Sequence, residues 1–360
     1  MAISLSHGGT TIFSSPAKSK DILVGTLNGV IALSRSADGK STEITRRSLT
    51  DKHISAIIQA DGLIFAGAFN GSIYASSDMG KTWQQRDRGM NINNVFSLSS
   101  YKVNGKTRLF AGTEPANLFV SDDLGMSWSV RQGLREVPSA REWTFPAPPH
   151  VAHLKHINFS VDGGKTIYAS IEQGGLLYSR DGGNKWDEFK GFHDDVHRIE
   201  MHTTNPKIIY MSGGGGLYKT VDGGTNWKHL TDESSVIGGY PDQLLVHPRH
   251  PELLFTASAE SNPGTWFKSH FANSRISRSK DGGETWEALH GGLPGGMQGN
   301  VEAMALEDWG ASFSLLAATT AGEIFCSDDG GETWAVIAKG LPAISKGDHY
   351  KPLMVSAKAR

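Results

Sequence analysis

Cysteine is almost absent from this chain, with Cys326 alone among 360 residues. One thiol cannot form an intrachain disulfide, which is the usual situation in a reducing compartment. No apolar run is long enough to span a bilayer, and the first residues lack the charged and apolar regions of a signal peptide. We therefore expect a soluble, cytoplasmic protein that makes no use of a membrane.

An excess of basic charge is also missing. The chain has 35 Lys and Arg against 37 Asp and Glu, which gives a formal net charge of −2. The basic residues are scattered rather than clustered in runs. This pattern gives no support for binding to nucleic acid or to an anionic membrane surface.

A short pattern, Ser-x-Asp-x-Gly-x-Thr-Trp, is what the chain has in abundance. Residues 279–286 carry it in full, and six complete or slightly varied copies end in Trp residues that are 41 to 59 positions apart. The copies occupy 76–83, 121–128, 179–186, 220–227, 279–286 and 327–334. A fixed motif at this spacing indicates a propeller or a solenoid.

Each copy follows three short β-rich runs and precedes a fourth. In the second unit, Asp61-Gly62 and Asn70-Gly71 mark the first two turns, and the motif itself makes the third. The Asp accepts bonds from turn amides, the Gly permits a positive φ, and the Trp packs against a neighbouring sheet, so we assign the motif a structural role.

Seven such units predict an all-β fold, a single seven-bladed β-propeller domain of four-stranded antiparallel blades. A barrel or an open solenoid is the alternative. The ring closes if a segment after the last blade, 350–356, supplies the inner strand of blade one; Thr10–Ser15 is the second choice for that strand. The predicted blades are 21–49 plus 350–356, 53–88, 93–131, 153–190, 195–231, 240–290 and 300–338.

The motifs at 76–83, 279–286 and 327–334 resemble the Asp-box (BNR) repeats of the sialidase-like propeller superfamily. That grouping includes sialidases, xyloglucan-hydrolysing propellers, sorting-receptor ectodomains and photosystem assembly factors. The resemblance implies the fold but leaves the function open. The six-bladed sialidases use three arginines and a Tyr/Glu pair, and this chain has neither their Arg-Ile-Pro motif nor a matching set of arginines.

The face opposite the motifs is where we expect the chemistry. Long connections lie there, and so do the starts of the inner strands, which converge on the ring axis. Asp195 opens one of these strands together with His197. The predicted metal ligands are His53, His153, His156, His197 and His349. The predicted catalytic carboxylates are Glu172, Asp242 and Glu302. The predicted substrate-binding walls are Trp143, Phe145, Tyr240, Trp266 and Tyr350.

Histidines and carboxylates on one axis suit a divalent transition metal, which the sequence narrows only to Zn, Fe, Mn or Cu. A solvated polar channel is the structural alternative. With a metal, we expect an enzyme that acts on a small-molecule or carbohydrate-like substrate, with a hydrolase favoured over redox chemistry. A metal-free glycosidase with a carboxylate pair and a non-enzymatic scaffold for a protein partner remain open.

Overall fold

Seven β-sheets form the blades of a propeller in the computed structural model, which describes residues 2–344. Twenty-nine strands, β1 to β29, build these sheets. The first three blades contain β1 (Ile3–Leu5), β3 (Asp21–Thr26), β4 (Gly29–Arg35) and β5 (Thr42–Ser48); β6 (His53–Ala60), β7 (Leu63–Phe69), β8 (Ser72–Ser76) and β9 (Gln84–Gln85); and β10 (Asn94–Val103), β11 (Lys106–Glu114), β12 (Leu118–Ser121) and β13 (Ser129–Val130).

The remaining four blades follow in chain order, and the seventh has a fifth strand. They contain β14 (Leu154–Phe159), β15 (Ile167–Ile171), β16 (Gly175–Ser179) and β17 (Asp187–Glu188); β18 (Val196–Met201), β19 (Ile209–Gly213), β20 (Gly216–Thr220) and β21 (Lys228–Thr231); β22 (Tyr240–Val246), β23 (Leu254–Ala259), β24 (Arg275–Ser279) and β25 (Glu287–Ala288); and β2 (Ile12–Ser14), β26 (Val301–Asp308), β27 (Phe313–Thr319), β28 (Ile324–Ser327) and β29 (Ala335–Ala338).

Helix is scarce in the described part of the chain. One α-helix, α1 (Pro263–Ser269), lies between β23 and β24, and two 3₁₀ turns, Gln132–Arg135 and Pro138–Arg141, follow β13. Within residues 2–344, no helix combines the length and the apolar character needed to cross a bilayer. The predicted seven-bladed all-β propeller is therefore confirmed.

Ring closure differs from the expectation. Residues 350–356 lie outside the described residues, and the inner edge of β3 is already occupied by β1, which pairs with it in parallel. The second choice, Thr10–Ser15, contains β2, but β2 pairs in parallel with β26 of blade seven. The N-terminal segment, residues 2–14, thus bridges the first and last blades with two short strands, each held by its own pairing.

The N-terminal segment also packs inside the ring with β1 and the residues that follow it toward β2. Residues 2–9 are all buried. Gly8 donates its N–H to the carbonyl of Ser55 at 2.9 Å, and its own carbonyl accepts the N–H of Leu98 at 2.9 Å. The chain passes so close to blade three that a Cβ on Gly8 would lie 2.1 Å from the carbonyl oxygen of Phe96. Only glycine fits at this crossing.

The repeated motif forms the turn between the third and fourth strand of a blade. In blade six, Ser279 Oγ donates to Asp281 Oδ1 at 2.8 Å and accepts the Gly283 N–H at 2.8 Å. Asp281 in turn accepts the Thr285 N–H at 2.9 Å, and Trp286 Nε1 donates to the Gly283 carbonyl at 3.0 Å. The motif is a self-contained turn, as its composition predicts.

A β-bulge near the start of the inner strand recurs in blades two to seven. A bulge inserts one unpaired residue and redirects its side chain. The residues within the six register shifts are Ser55, Phe96, Lys155, His197, Asp242 and Glu302. These equivalent positions supply much of the polar cluster described next.

Candidate metal and substrate site

The bulge residues of blades four, five and six meet inside the ring. Lys155 Nζ lies 2.8 Å from Asp242 Oδ1, and His197 Nδ1 lies 3.8 Å from the same oxygen. In blade seven, Glu302 Oε1 accepts a hydrogen bond from Asn300 Nδ2 at 2.9 Å. All of these side chains are buried. In blades four to seven, the recurrent bulge therefore turns one residue toward a common interior.

Three donors in this interior form a cluster that can hold a metal ion. Glu172, Asp195 and His197 each offer one ligand atom, and the three atoms lie within 4.8 Å of one another. His197 Nε2 is 3.2 Å from Asp195 Oδ1 and 3.9 Å from Glu172 Oε1. One imidazole with two carboxylates is a common donor set for divalent transition metals.

His197 is oriented by the backbone of the next blade. Its Nδ1 lies 2.8 Å from the carbonyl oxygen of Pro241. A carbonyl oxygen only accepts, so Nδ1 carries a hydrogen and Nε2 is the ring nitrogen that faces the two carboxylates. Neither Nε2 nor Asp195 Oδ1 has a hydrogen bond of acceptable geometry. Either a proton on Nε2 or a cation between Nε2 and the carboxylate oxygens would hold these atoms together by attraction.

Further contacts hold the two carboxylates in place. Glu172 Oε2 lies 2.6 Å from His153 Nε2, and Glu172 Oε1 lies 3.2 Å from Lys155 Nζ. The Tyr240 hydroxyl donates to Asp195 Oδ2 at 3.3 Å. Burial alone would raise the pKa of Asp195, but its attraction to His197 outweighs that effect and the pKa is lowered. Asp195 is therefore held as a carboxylate, the form that binds metal.

Negative charge exceeds positive charge in this interior. Besides Glu172 and Asp195, the buried carboxylates are Glu114, Asp242 and Glu302, whereas Lys155 is the buried ammonium that reaches them. Burial strongly disfavours unpaired charge. Protonated histidines or a bound cation would bring this cluster closer to neutrality.

A wide cavity, the mouth pocket, opens onto the cluster from the face opposite the repeated turns. Its volume is about 960 Å³, within the range of small-molecule sites. It is formed by connections of blades four, five and six. The lining residues are 145–147, 172–173, His193, Asp195, 214–215, 232–234, 239–240 and 260–264. Glu172 and Asp195 thus lie at once in the metal cluster and in the wall of the pocket.

The other predicted ligands and carboxylates occupy different positions. His153 and Asp242 lie beside the cluster and contact its members. Glu302 lies 3.3 Å from His7 rather than beside His197. His156 Nε2 accepts from Arg198 Nη1 at 3.0 Å.

Burial, together with the nearby charge of Arg198, lowers the pKa of His156 well below its ordinary value. The ring of His53 lies against Phe69, with centroids 5.9 Å apart. Neither His53 nor His156 belongs to the three-residue cluster, because each is turned toward another partner.

Three of the five predicted substrate-wall residues line two cavities. Phe145 and Tyr240 line the mouth pocket. Trp143 lines a smaller neighbouring cavity of about 200 Å³, which shares Gln173 with the mouth pocket. Trp266 is buried in α1 and packs with Tyr240 rather than facing the cavity. The predictions for His349 and Tyr350 fall outside the described residues.

Sequence reasoning missed two members of the interior, Lys155 and His7. Lys155 occupies the bulge position of blade four, between two histidines, and corresponds to His197 and Asp242 in the next two blades. His7 enters with the N-terminal segment. Its Nδ1 lies 3.1 Å from the carbonyl oxygen of Glu302, and its carbonyl accepts from Arg198 Nη2 at 2.7 Å. Burial lowers the His7 pKa, although Glu302 acts to raise it.

Comparisons with known proteins bear mainly on the fold. The family model described as sortilin, neurotensin receptor 3, matches residues 174–295, about a third of the chain. A search of curated proteins found no match.

Solved structures resemble the whole ring more broadly. A GH74 xyloglucanase from Xanthomonas campestris is 17% identical with a TM-score of 0.67, over 94% of this chain and 55% of its own. An ancestral GH74 enzyme is 17% identical with a TM-score of 0.61, over 82% of this chain and 40% of its own. This chain thus spans about half the length of these two enzymes or less.

A third neighbour is similar in length. YCF48 bound to D1 peptide is 14% identical with a TM-score of 0.57, over 90% of this chain and 94% of its own. At these identities the likeness extends to the fold alone. The chain is thus similar to propellers that include carbohydrate-active enzymes and a peptide-binding protein.

Proposed function

We propose that this protein is a metal-dependent hydrolase that acts on a small polar or carbohydrate-like substrate in the mouth pocket. The observation that supports this most strongly is the convergence of Glu172, Asp195 and His197 where the pocket meets the buried interior. A cavity whose wall contains two of three buried metal donors suits hydrolysis better than it suits a purely structural site.

A divalent ion bound there would supply an activated water at neutral pH and would polarise the bond to be cleaved. The protein's own residues would hold the donors still. Pro241 fixes the ring of His197, and His153 with Lys155 fixes Glu172. Such contacts behind the ligands set their orientation and basicity. In this proposal Asp242 and Glu302 position other groups, because neither lines the pocket.

The donor set narrows the candidate metals. Two carboxylate oxygens and one imidazole nitrogen suit Zn, Mn or Fe, whereas blue-copper sites use more nitrogen together with sulfur. Hydrolysis needs no change in oxidation state, and Zn and Mn meet this requirement without further chemistry.

Metal titration tests the proposal. Protein treated with a chelator is titrated with Zn²⁺ and with Mn²⁺ by calorimetry. Wild type should bind one ion, and His197→Ala and Glu172→Gln should each weaken binding by about 100-fold or more, because each removes a ligand rather than an outer contact. His250→Ala is the matched control, since its side chain is 57% exposed.

Equal stoichiometry and affinity in wild type and His197→Ala would refute the metal site. Activity supplies the second readout: a panel of small esters and glycosides is screened before chelation, after chelation and after metal return. A substrate whose cleavage stops on chelation and recovers on metal return would establish the hydrolase.

A metal-free glycosidase is the second candidate. It is favoured by the presence of two carboxylates in the pocket wall whose oxygens approach within 4.8 Å, since retaining glycosidases place their two carboxyl groups about 5 Å apart. Against it, the general acid of such an enzyme needs a raised pKa, and that of Asp195 is lowered. Glycoside cleavage that survives chelation would select this mechanism.

A further inference from the structure

The wall of the mouth pocket is strongly acidic, although the protein as a whole is nearly neutral. Five of its 19 described lining residues are carboxylates, and none is Lys or Arg. The chain as a whole has 37 acidic and 35 basic residues. A concave site walled by one sign of charge concentrates the field and favours ligands of the opposite sign.

The carboxylates fall into two groups by depth. Glu172 and Asp195 are buried at the inner end and belong to the metal cluster. Asp232, Glu233 and Glu260 are exposed at the rim. Glu260 lies 3.2 Å from the guanidinium of Arg275 and is therefore partly neutralised. Asp232 and Glu233 form no ion pair with any residue in the described part of the chain.

Asp232 is held in a form suited to binding. Its carboxylate accepts the N–H of Ser234 at 2.9 Å and the Ser234 hydroxyl at 2.6 Å. These hydrogen bonds lower the pKa of Asp232, so the group is ionised at neutral pH. Both residues lie on the connection between β21 and β22, which leads directly to Tyr240 in the pocket wall.

A buried carboxylate also forms part of the cavity wall. Asp195 is 4% exposed and lines the pocket; its Oδ2 accepts from the Tyr240 hydroxyl at 3.3 Å, and its Oδ1 lies 3.2 Å from His197 Nε2. Between this inner end and the rim, Phe145, Ala147 and Tyr240 provide apolar surface. The cavity therefore offers an apolar wall between an inner polar end and an acidic rim.

We infer that the substrate of this site carries a protonated amine, which Asp232 and Glu233 bind at the rim while the bond to be cleaved lies at the inner carboxylates. The inference rests on the proposed function for the role of the inner end. An ammonium group suits two neighbouring carboxylates because it donates up to three hydrogen bonds. A neutral substrate would leave the negative charges at the rim uncompensated. An anionic substrate would be repelled by them.

Matched pairs of probes that differ only in the amine test the inference. D-glucosamine is compared with D-glucose, and benzylamine with benzyl alcohol, by ligand-detected NMR titration of the full chain. In at least one pair, the amine should bind about fivefold or more tightly than its neutral partner at low salt, as expected for exposed charge pairs. The preference should shrink at about 0.5 M salt because exposed charges are screened.

The double variant Asp232→Asn with Glu233→Gln should bring each amine to within about twofold of its neutral partner. Asp21→Asn with Glu43→Gln is the matched control, because both residues are exposed and neither lines the pocket. The inference is overturned if the amine shows no advantage in either pair, if no probe binds, or if the double variant keeps the wild-type preference.

The same titration on chelator-treated His197→Ala separates this inference from the proposed function. The amine preference should persist there, because Asp232 and Glu233 lie outside the metal cluster. An amine preference in a protein that binds no metal would refute the proposed hydrolase and keep the rim site. Metal binding without any amine preference would refute the rim site and leave the proposed hydrolase standing.

Discussion

At the scale of single residues, the candidate metal site depends on how the backbone directs side chains. The carbonyl of Pro241 accepts from Nδ1 of His197, and hence Nε2 is the nitrogen that faces Asp195 and Glu172. The sequence predicts His197 as a ligand and Glu172 as a functional carboxylate, because both occur where strands converge. The sequence cannot predict this orientation of the ring, which depends on a carbonyl in another blade.

Glu200 gives a prediction about pH at this scale. Burial raises the pKa of Glu200 to about 7, although Arg198, 3.7 Å away, acts to lower it. From the ordinary value of 4.5 up to about 7, the folded protein keeps a proton that the unfolded chain has released. The stability of wild type should therefore fall with rising pH in that window, relative to a variant that cannot ionise.

Glu200→Gln supplies that variant. The free energy of unfolding of Glu200→Gln minus that of wild type should increase by up to about 3 kcal/mol from pH 4.5 to 7 and then level off. Chemical denaturation at several pH values measures the difference. The exposed Glu43→Gln serves as control and should give a flat difference. A flat difference for Glu200→Gln as well would contradict the account.

At the scale of elements, the repeated turn and the recurrent bulge differ in how visible they are in sequence. The turn is encoded locally, since Ser279, Asp281 and Thr285 bond with one another, and its place between the third and fourth strand is predicted correctly. The bulge has no such local signature. It can be recognised only when the inner strands of the blades are aligned. For this reason, Lys155 is not predicted as a site residue from the positions of the histidines.

The N-terminal segment shows the same limit more strongly. Its strands β1 and β2 are three residues each, too short to stand out by pattern, and their pairing partners lie in different blades. Their placement depends on long-range packing around Gly8 and on the contacts of His7. Local composition therefore could not show whether the N-terminal or the C-terminal segment closes the propeller ring.

Gly8→Ala tests the packing of this segment. The added Cβ would meet the Phe96 carbonyl oxygen at 2.1 Å and Ser97 Cα at 2.9 Å, both of them backbone atoms. The segment must shift, and we expect a loss of about 1–3 kcal/mol in the free energy of unfolding, as for other overpacked sites. Gly295→Ala is the control, because an added Cβ there meets no atom within 4 Å. Equal stability of the two variants would show that residues 2–9 do not fill the ring as described.

At the scale of the whole molecule, the propeller separates structure from chemistry by face. The repeated turns stabilise one face, while the connections at the other face form the mouth pocket above the buried cluster. This division is predictable from the sequence, because strand direction alternates within each blade. The side of the mouth on which the pocket lies cannot be predicted from the sequence, because the cavity depends on the particular lengths of the connections in blades four to six.

Exposed apolar side chains are few in the described part of the chain. Eight large hydrophobic residues are exposed there, spread along the sequence from Ile44 to Phe271, and Phe271 is the aromatic one among them. A broad protein-binding face would present a contiguous apolar patch. The converging polar groups under the mouth pocket are therefore the feature that the function must explain.

Anomalous diffraction from crystals grown with Zn²⁺ or Mn²⁺ tests the central claim most directly, because it locates the ion as well as detecting it. The account predicts one strong peak about 2.0–2.2 Å from His197 Nε2 and from an oxygen of each of Glu172 and Asp195. Crystals of His197→Ala should lose this peak. A wild-type map with no peak among these three side chains, at a metal concentration that saturates binding in solution, would contradict the account.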